Sequence, residues 1–134
     1  MSVKLGTQSI RTIAAFEKMT KVHARDCLIM DDSIYFLVDP DKIGFAIGRN
    51  GSNIREVSKA FGKTVRLFAY HREPEDMLRA MIPTIKSIDM GGDTLSLTVP
   101  SSDRVAVIGR GGRNIRAIKE IMKRHFAIKT VRLR

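Results

Sequence analysis

From Thr64 to Tyr70 the side chains alternate, with Val65, Leu67 and Ala69 on one side and Arg66, Phe68 and Tyr70 on the other. Leu95, Leu97 and Val99 repeat that two-residue period between polar neighbours. Such alternation predicts strands with one face turned to a core. A different period governs Ile54, Val57, Ser58 and Phe61, which fall at i, i+3, i+4 and i+7, and likewise Ile115, Ile118, Met122 and Phe126. That spacing lines one face of an α-helix.

Turn formers and cap signals set the expected boundaries. Residues 7–22 read as a helix, with Thr7 or Ser9 as cap and Lys18 and Lys21 suited to its negative end. The runs Cys27–Met30 and Ile34–Val38 flank Asp31-Asp32-Ser33 and read as a hairpin. Asp39-Pro40-Asp41 opens a short helix through Ile43 to Ile47. Asn53, with Glu56 three residues on, reads as a capping box for the next helix, which Gly62 ends. A second round follows. Glu73-Pro74-Glu75-Asp76 starts a helix that ends at Met81 or Ile82, and Thr84–Met90 and Thr94–Val99 form strands joined across Gly91-Gly92. A short helix runs from Pro100 through Ile108, a longer one covers Asn114–Phe126, and Ile128–Leu133 closes as a strand.

Both rounds thus read helix, strand, strand, helix, glycine turn, helix, strand. The repeat is visible in the residues themselves. Ile47-Gly48-Arg49-Asn50-Gly51-Ser52-Asn53-Ile54-Arg55 returns as Ile108-Gly109-Arg110-Gly111-Gly112-Arg113-Asn114-Ile115-Arg116, identical at seven of nine positions and offset by 61 residues. A repeated stretch of this length marks an internal duplication. The expected architecture is therefore α+β in two domains, residues 1–71 and 72–134. With only His71-Arg72 between them, the two are expected to pack rigidly together.

Charge narrows the partner. The 134 residues carry a formal net charge of +10, and from Arg110 to Arg134 nine basic side chains face only Glu120. Such a surplus favours a polyanion, nucleic acid above all. The glycine turns fit that partner. A turn without Cβ atoms lets a sugar-phosphate backbone lie against the main chain, and the following helix begins with unpaired amides at its positive end. Gly48, Arg49, Asn50 and Gly51 form the first candidate clamp, and Gly109, Arg110, Gly111, Gly112 and Arg113 the second. Ile43, Ile47, Ile54, Val105, Ile108 and Ile115 are expected to floor grooves for bases, with Arg55 and Arg116 adding charge at the rim. As plain structure, the same glycines would only permit a helix corner, and each isoleucine could equally belong to the core.

Other chemistry finds little support. Cys27 is the one cysteine, so a disulfide within the chain and a four-thiolate zinc site are both impossible. His23, His71 and His125 match no metal-ligand spacing, and no cofactor is expected. Gly109-Arg110-Gly111-Gly112-Arg113-Asn114 has Asn114 where a dinucleotide fingerprint needs its third glycine, and it follows a helix instead of a strand. No cluster offers a general base, so the reading is a binding protein and not an enzyme. No stretch looks like a signal peptide or a bilayer span, which points to the cytoplasm.

Ile-Gly-Arg-Asn-Gly and Ile-Gly-Arg-Gly-Gly, each between two helices and followed by a strand, resemble the I-G-x-x-G signature of the KH domain. The helix-strand-strand order before the motif is similar to the type II form. Two such domains filling a short chain resemble the archaeal NusA-like family of transcription elongation and termination factors. The resemblance implies single-stranded RNA as ligand, with Gly48–Gly51 and Gly109–Gly112 clamping its backbone, and RNA polymerase as a partner. A ribosomal or RNA-assembly protein with the same turns, or a helix-turn-helix DNA-binding protein, would differ in partner.

Overall fold

The computed structural model describes residues 6–134; residues 1–5 of the expected first domain lie outside the described residues. The chain divides into two compact units, one reaching to His71 and the other spanning Arg72–Arg134. The first contains α1 (Thr7–Thr20), β1 (Ala24–Ile29), β2 (Ser33–Val38), α2 (Ile43–Ile47), α3 (Ser52–Phe61) and β3 (Thr64–Ala69). The second contains α4 (Pro74–Met81), β4 (Ser87–Gly91), β5 (Thr94–Thr98), α5 (Arg104–Ile108), α6 (Arg113–Phe126) and β6 (Thr130–Leu133). In each unit the middle strand pairs antiparallel with the strand before it and parallel with the strand after it. Parallel pairing needs a crossover, and the helix-turn-helix supplies it.

In the first unit, alternate residues of β2 decide what the helices pack on. Ile34, Phe36 and Val38 join a core with Phe16 of α1, Ala46 of α2 and Val57 of α3. The Phe16 and Phe36 rings stack with centroids 4.1 Å apart. Burying rings of this size contributes roughly 1.5–3 kcal/mol each. In the second unit α4 and α5 both pack on α6. Met77, Leu78 and Met81 of α4 are buried, as are Ala117, Ile118, Ile121 and Met122 of α6. The buried face of α6 is therefore centred on Ile118, Ile121 and Met122, while Ile115 and Phe126 stay half-buried at its ends.

Several boundaries differ from the sequence reading, each for a local reason. Gly6, and not Thr7 or Ser9, occupies the cap position of α1, with no side-chain cap. That helix stops at Thr20, two residues short of expectation. The Thr20 hydroxyl donates to the Phe16 carbonyl and accepts from the Val22 amide, while Lys21 turns left-handed at φ 63°. β1 starts at Ala24, three residues early, because Ala24 and Asp26 still find partners in Val38 and Leu37. β4 starts at Ser87 instead of Thr84, and Gly91 pairs with Thr94, so the hairpin turn is Gly92-Asp93 with Gly92 at φ 59°. α6 begins at Arg113 and β6 only at Thr130, after Ala127 ends the helix in the left-handed region.

Candidate nucleic-acid interface

The two glycine turns have one backbone. Gly48 lies at φ 77°, ψ 174° and Gly109 at φ 77°, ψ 169°. Asn50 lies at φ 54°, ψ 29° and Gly111 at φ 61°, ψ 20°. Gly51 and Gly112 follow at φ 74°, ψ 18° and φ 76°, ψ 14°. The first position falls in a region open essentially to glycine alone. The third is ordinary left-handed backbone, which asparagine tolerates.

Space is restricted at the first glycine as well. A Cβ on Gly48 would lie 2.8 Å from Asn53 Cγ and 2.9 Å from the Asn53 amide nitrogen, and on Gly109 it would lie 2.9 Å from the Asn114 amide nitrogen. A Cβ on Gly111 would meet nothing within 4 Å. The first glycine is thus required by the corner itself, while the third position stands open.

Two side chains hold each corner shut. Asn53 Nδ2 donates to the Phe45 carbonyl at 2.9 Å, and Asn114 Nδ2 to the Ala106 carbonyl at 3.0 Å. Asn53 is therefore not the helix cap expected of it. Gly51 caps α3 with no side-chain hydrogen bond, and the amide of Asn53 instead ties α3 back to α2. Arg55 Nη1 donates to the Asn50 carbonyl and Arg116 Nη1 to the Gly111 carbonyl, both at 2.6 Å. With the Gly51 and Ser52 amides donating to Gly48 and Arg49, every carbonyl from Gly48 to Asn50 is occupied. Each of these oxygens thus already accepts one hydrogen bond, which lessens its repulsion of a phosphate.

The remaining residues that the sequence singles out separate into core and surface. Ile43 and Ile54 pack against the first core. Ile47, Arg49, Asn50, Arg55, Arg110, Gly111 and Arg116 are exposed, while Ile108, Ile115 and Arg113 are half-buried. Val105 is 82% exposed. Ile43 and Val105 do not form a matched pair of groove floors, because the offset of 61 aligns Ile43 with Arg104 and Val105 with Gly44. Arg104 Nη1 is tied to the main-chain carbonyl of Arg134.

A pocket of about 850 Å³ opens beside the first corner, lined by Lys21, His23, Arg25, Asp39, Lys42, Phe45 and Asn53 among others. Phe45, one turn before the first glycine, is 66% exposed, and Lys42 Nζ lies 5.6 Å from its ring centroid. Arg25 Nε donates to Asp39 Oδ1 at 2.5 Å and its guanidinium lies 4.6 Å from the Tyr70 ring centroid. The hydrogen bond to Asp39 raises the Arg25 pKa. None of Phe45, Arg25 or Asp39 figures among the residues expected from the sequence to bind. The signal available was Phe45 itself, an aromatic on the polar side of a short helix. Among the described residues no helix is long and apolar enough to cross a membrane, and no group of His, Cys, Asp or Glu is placed to hold a metal ion.

Comparison with known proteins assigns the scaffold. The KH domain model matches residues 10–72. The probable transcription termination protein NusA of Methanocaldococcus jannaschii is 30% identical over 137 residues, an alignment covering 98% of this chain and 75% of that protein. Its counterpart in Halococcus morrhuae is 30% identical over 138 residues, covering 99% of both chains. The crystal structure of APE1850 superposes with a TM-score of 0.82 at 26% identity, over 97% of this chain and all of that one. On these alignments, which cover nearly all of this chain, it belongs to the archaeal NusA family.

Proposed function

We propose that this chain is a single-stranded RNA-binding factor of transcription that acts with RNA polymerase in elongation and termination. Both units serve as KH domains, residues 1–71 and 72–134, and each glycine corner clamps the RNA backbone. One observation carries the reading: the corners share a backbone whose first position only glycine can enter, with its carbonyls engaged and Arg49 and Arg110 exposed at its tip. A bare helix corner needs neither Arg49 nor Arg110. The net charge of +10 and the names of the relatives agree with a polyanionic ligand met during transcription.

The test is the quadruple variant Arg49→Asp, Asn50→Asp, Arg110→Asp and Gly111→Asp. Arg49, Asn50, Arg110 and Gly111 are exposed, and a side chain at Gly111 has open space at a φ that Asn50 already adopts. The fold therefore survives while four new charges repel phosphate. Binding to single-stranded RNA falls by at least about 100-fold, on the scale expected when several phosphate contacts are lost. Undiminished binding would refute the clamp. Recovery of the native chain with RNA polymerase supports the transcriptional setting, and recovery with ribosomal subunits instead would reassign it.

A further inference from the structure

We propose that the pocket beside the first corner takes a single unpaired nucleobase, stacked on Phe45 with its edge against Arg25 and Asp39, and that the second unit has no equivalent. The inference rests on the RNA-binding reading and adds which of the two units reads the base.

Phe45 is the natural platform. The residue is 66% exposed although it stands among residues that build the corner, and its carbonyl, not its ring, is used by Asn53. Exposed single hydrophobes are common. This one, however, opens onto a pocket of about 850 Å³, within the range of sites for small organic ligands. Lys42 beside the ring and Lys21 in the pocket lining supply charge for the flanking phosphates. A base has a π-face and an edge of donors and acceptors, so it satisfies both an aromatic floor and a polar wall.

The wall is built by a backbone irregularity. β1 and β2 shift register between Ala24 and Asp26, which leaves Arg25 as the extra residue of a β-bulge. Bulges redirect side chains and recur beside binding sites. Here the bulge turns Arg25 onto Asp39 and over Tyr70, so a fixed donor and a fixed acceptor stand side by side at the pocket. Neither group could hold that position on a freely rotating side chain without added ordering cost.

The second unit keeps a cation at the place of Arg25, where Lys86 stands, but lacks the other parts. Ala106 takes the place of Phe45, Asp103 that of Lys42 and Pro100 that of Asp39. The β4–β5 pairing runs from Ser87↔Thr98 to Gly91↔Thr94 and begins after Lys86, whose amide donates to the Thr98 carbonyl at 2.8 Å. Its corner retains the clamp geometry without the platform, so it contributes grip and not base selectivity.

The chain has no tryptophan, which permits a local reporter. In Phe45→Trp, emission is followed during titration with eight-nucleotide oligo(A), oligo(C) and oligo(U), and with an abasic sugar-phosphate oligomer. Binding is followed separately by anisotropy of labelled RNA. The expected result is saturable quenching that tracks binding for base-bearing oligomers and is absent for the abasic one. Phe45→Ala weakens binding on the order of tenfold and reduces the spread among the three oligomers. Ile10→Ala, at another exposed hydrophobe of the same unit, changes neither. Native-like binding by Phe45→Ala, or quenching by the abasic oligomer equal to that by RNA, overturns the proposal and leaves the clamp reading intact. Failure of the unmodified chain to bind any oligomer at low salt overturns both.

Discussion

Gly48 and Gly111 show why residues of one type in one motif are not interchangeable. Gly48 combines φ 77°, ψ 174° with a backbone nitrogen 2.9 Å from where a Cβ would stand. Gly48→Ala and Gly109→Ala are expected to destabilise their units by about 1–3 kcal/mol from the dihedral strain alone, with the clash added, and denaturant midpoints measure it. Gly111→Asn places at the second corner the residue the first already has, in open space. Its stability should stay within about 0.5 kcal/mol of the native value. Equal losses for both substitutions would mean that the corner does not depend on the first glycine's conformation. The stability contrast also has a functional use, because a change at the third position alters the exposed tip without disturbing the fold.

At the scale of elements, the corner depends on α3 being tied to α2 and α6 to α5. Asn53→Ala and Asn114→Ala each remove the side-chain tie to the neighbouring helix, at about 0.5–1.5 kcal/mol per hydrogen bond lost. Faster hydrogen exchange confined to the affected corner would identify that loss as loosening of the tie, whereas unchanged exchange there would contradict the tether role. Much of this level is legible in the residues alone. The alternation in Thr64–Ala69 and the helical spacing from Ile54 to Phe61 place β3 and α3 to within a residue or two. Boundaries set by non-local partners are harder. β1 gains three residues because Val38 and Leu37 stand opposite, a fact its own residues do not carry. Asn53 reads as a cap because asparagine before a helix usually is one. Its partner is a main-chain carbonyl eight residues back, which no local rule supplies. Arg55 and Arg116 read as rim charges for the same reason, and the structure turns each onto a carbonyl within its own corner. The repeated nonapeptide nonetheless contains the clue, since Asn53, Arg55, Asn114 and Arg116 are identical between copies while Asn50 and Ser52 are not.

For the whole molecule, the testable quantity is whether the two corners share one ligand. Log affinity for single-stranded RNA should fall linearly with log salt, with a slope of about 0.7 per phosphate contacted. The double variants Arg49→Asp with Asn50→Asp, and Arg110→Asp with Gly111→Asp, should each flatten that slope by about one to two contacts' worth. If one RNA spans both corners, the second clamp acts at high effective concentration, so either double variant costs more than the roughly twofold expected of independent sites. A steep salt dependence untouched by either double variant would assign the phosphate contacts to other basic residues, such as those between Lys119 and Arg134.

The tie between Asn53 and Phe45 ends on a peptide oxygen, as does that between Asn114 and Ala106. A fastening that ignores the side chain it grips leaves that position at liberty. One copy carries a bulky ring there and the other a methyl group, and the hinge is the same in both. A repeat built this way lets its two halves differ at that position while keeping the same way of bending.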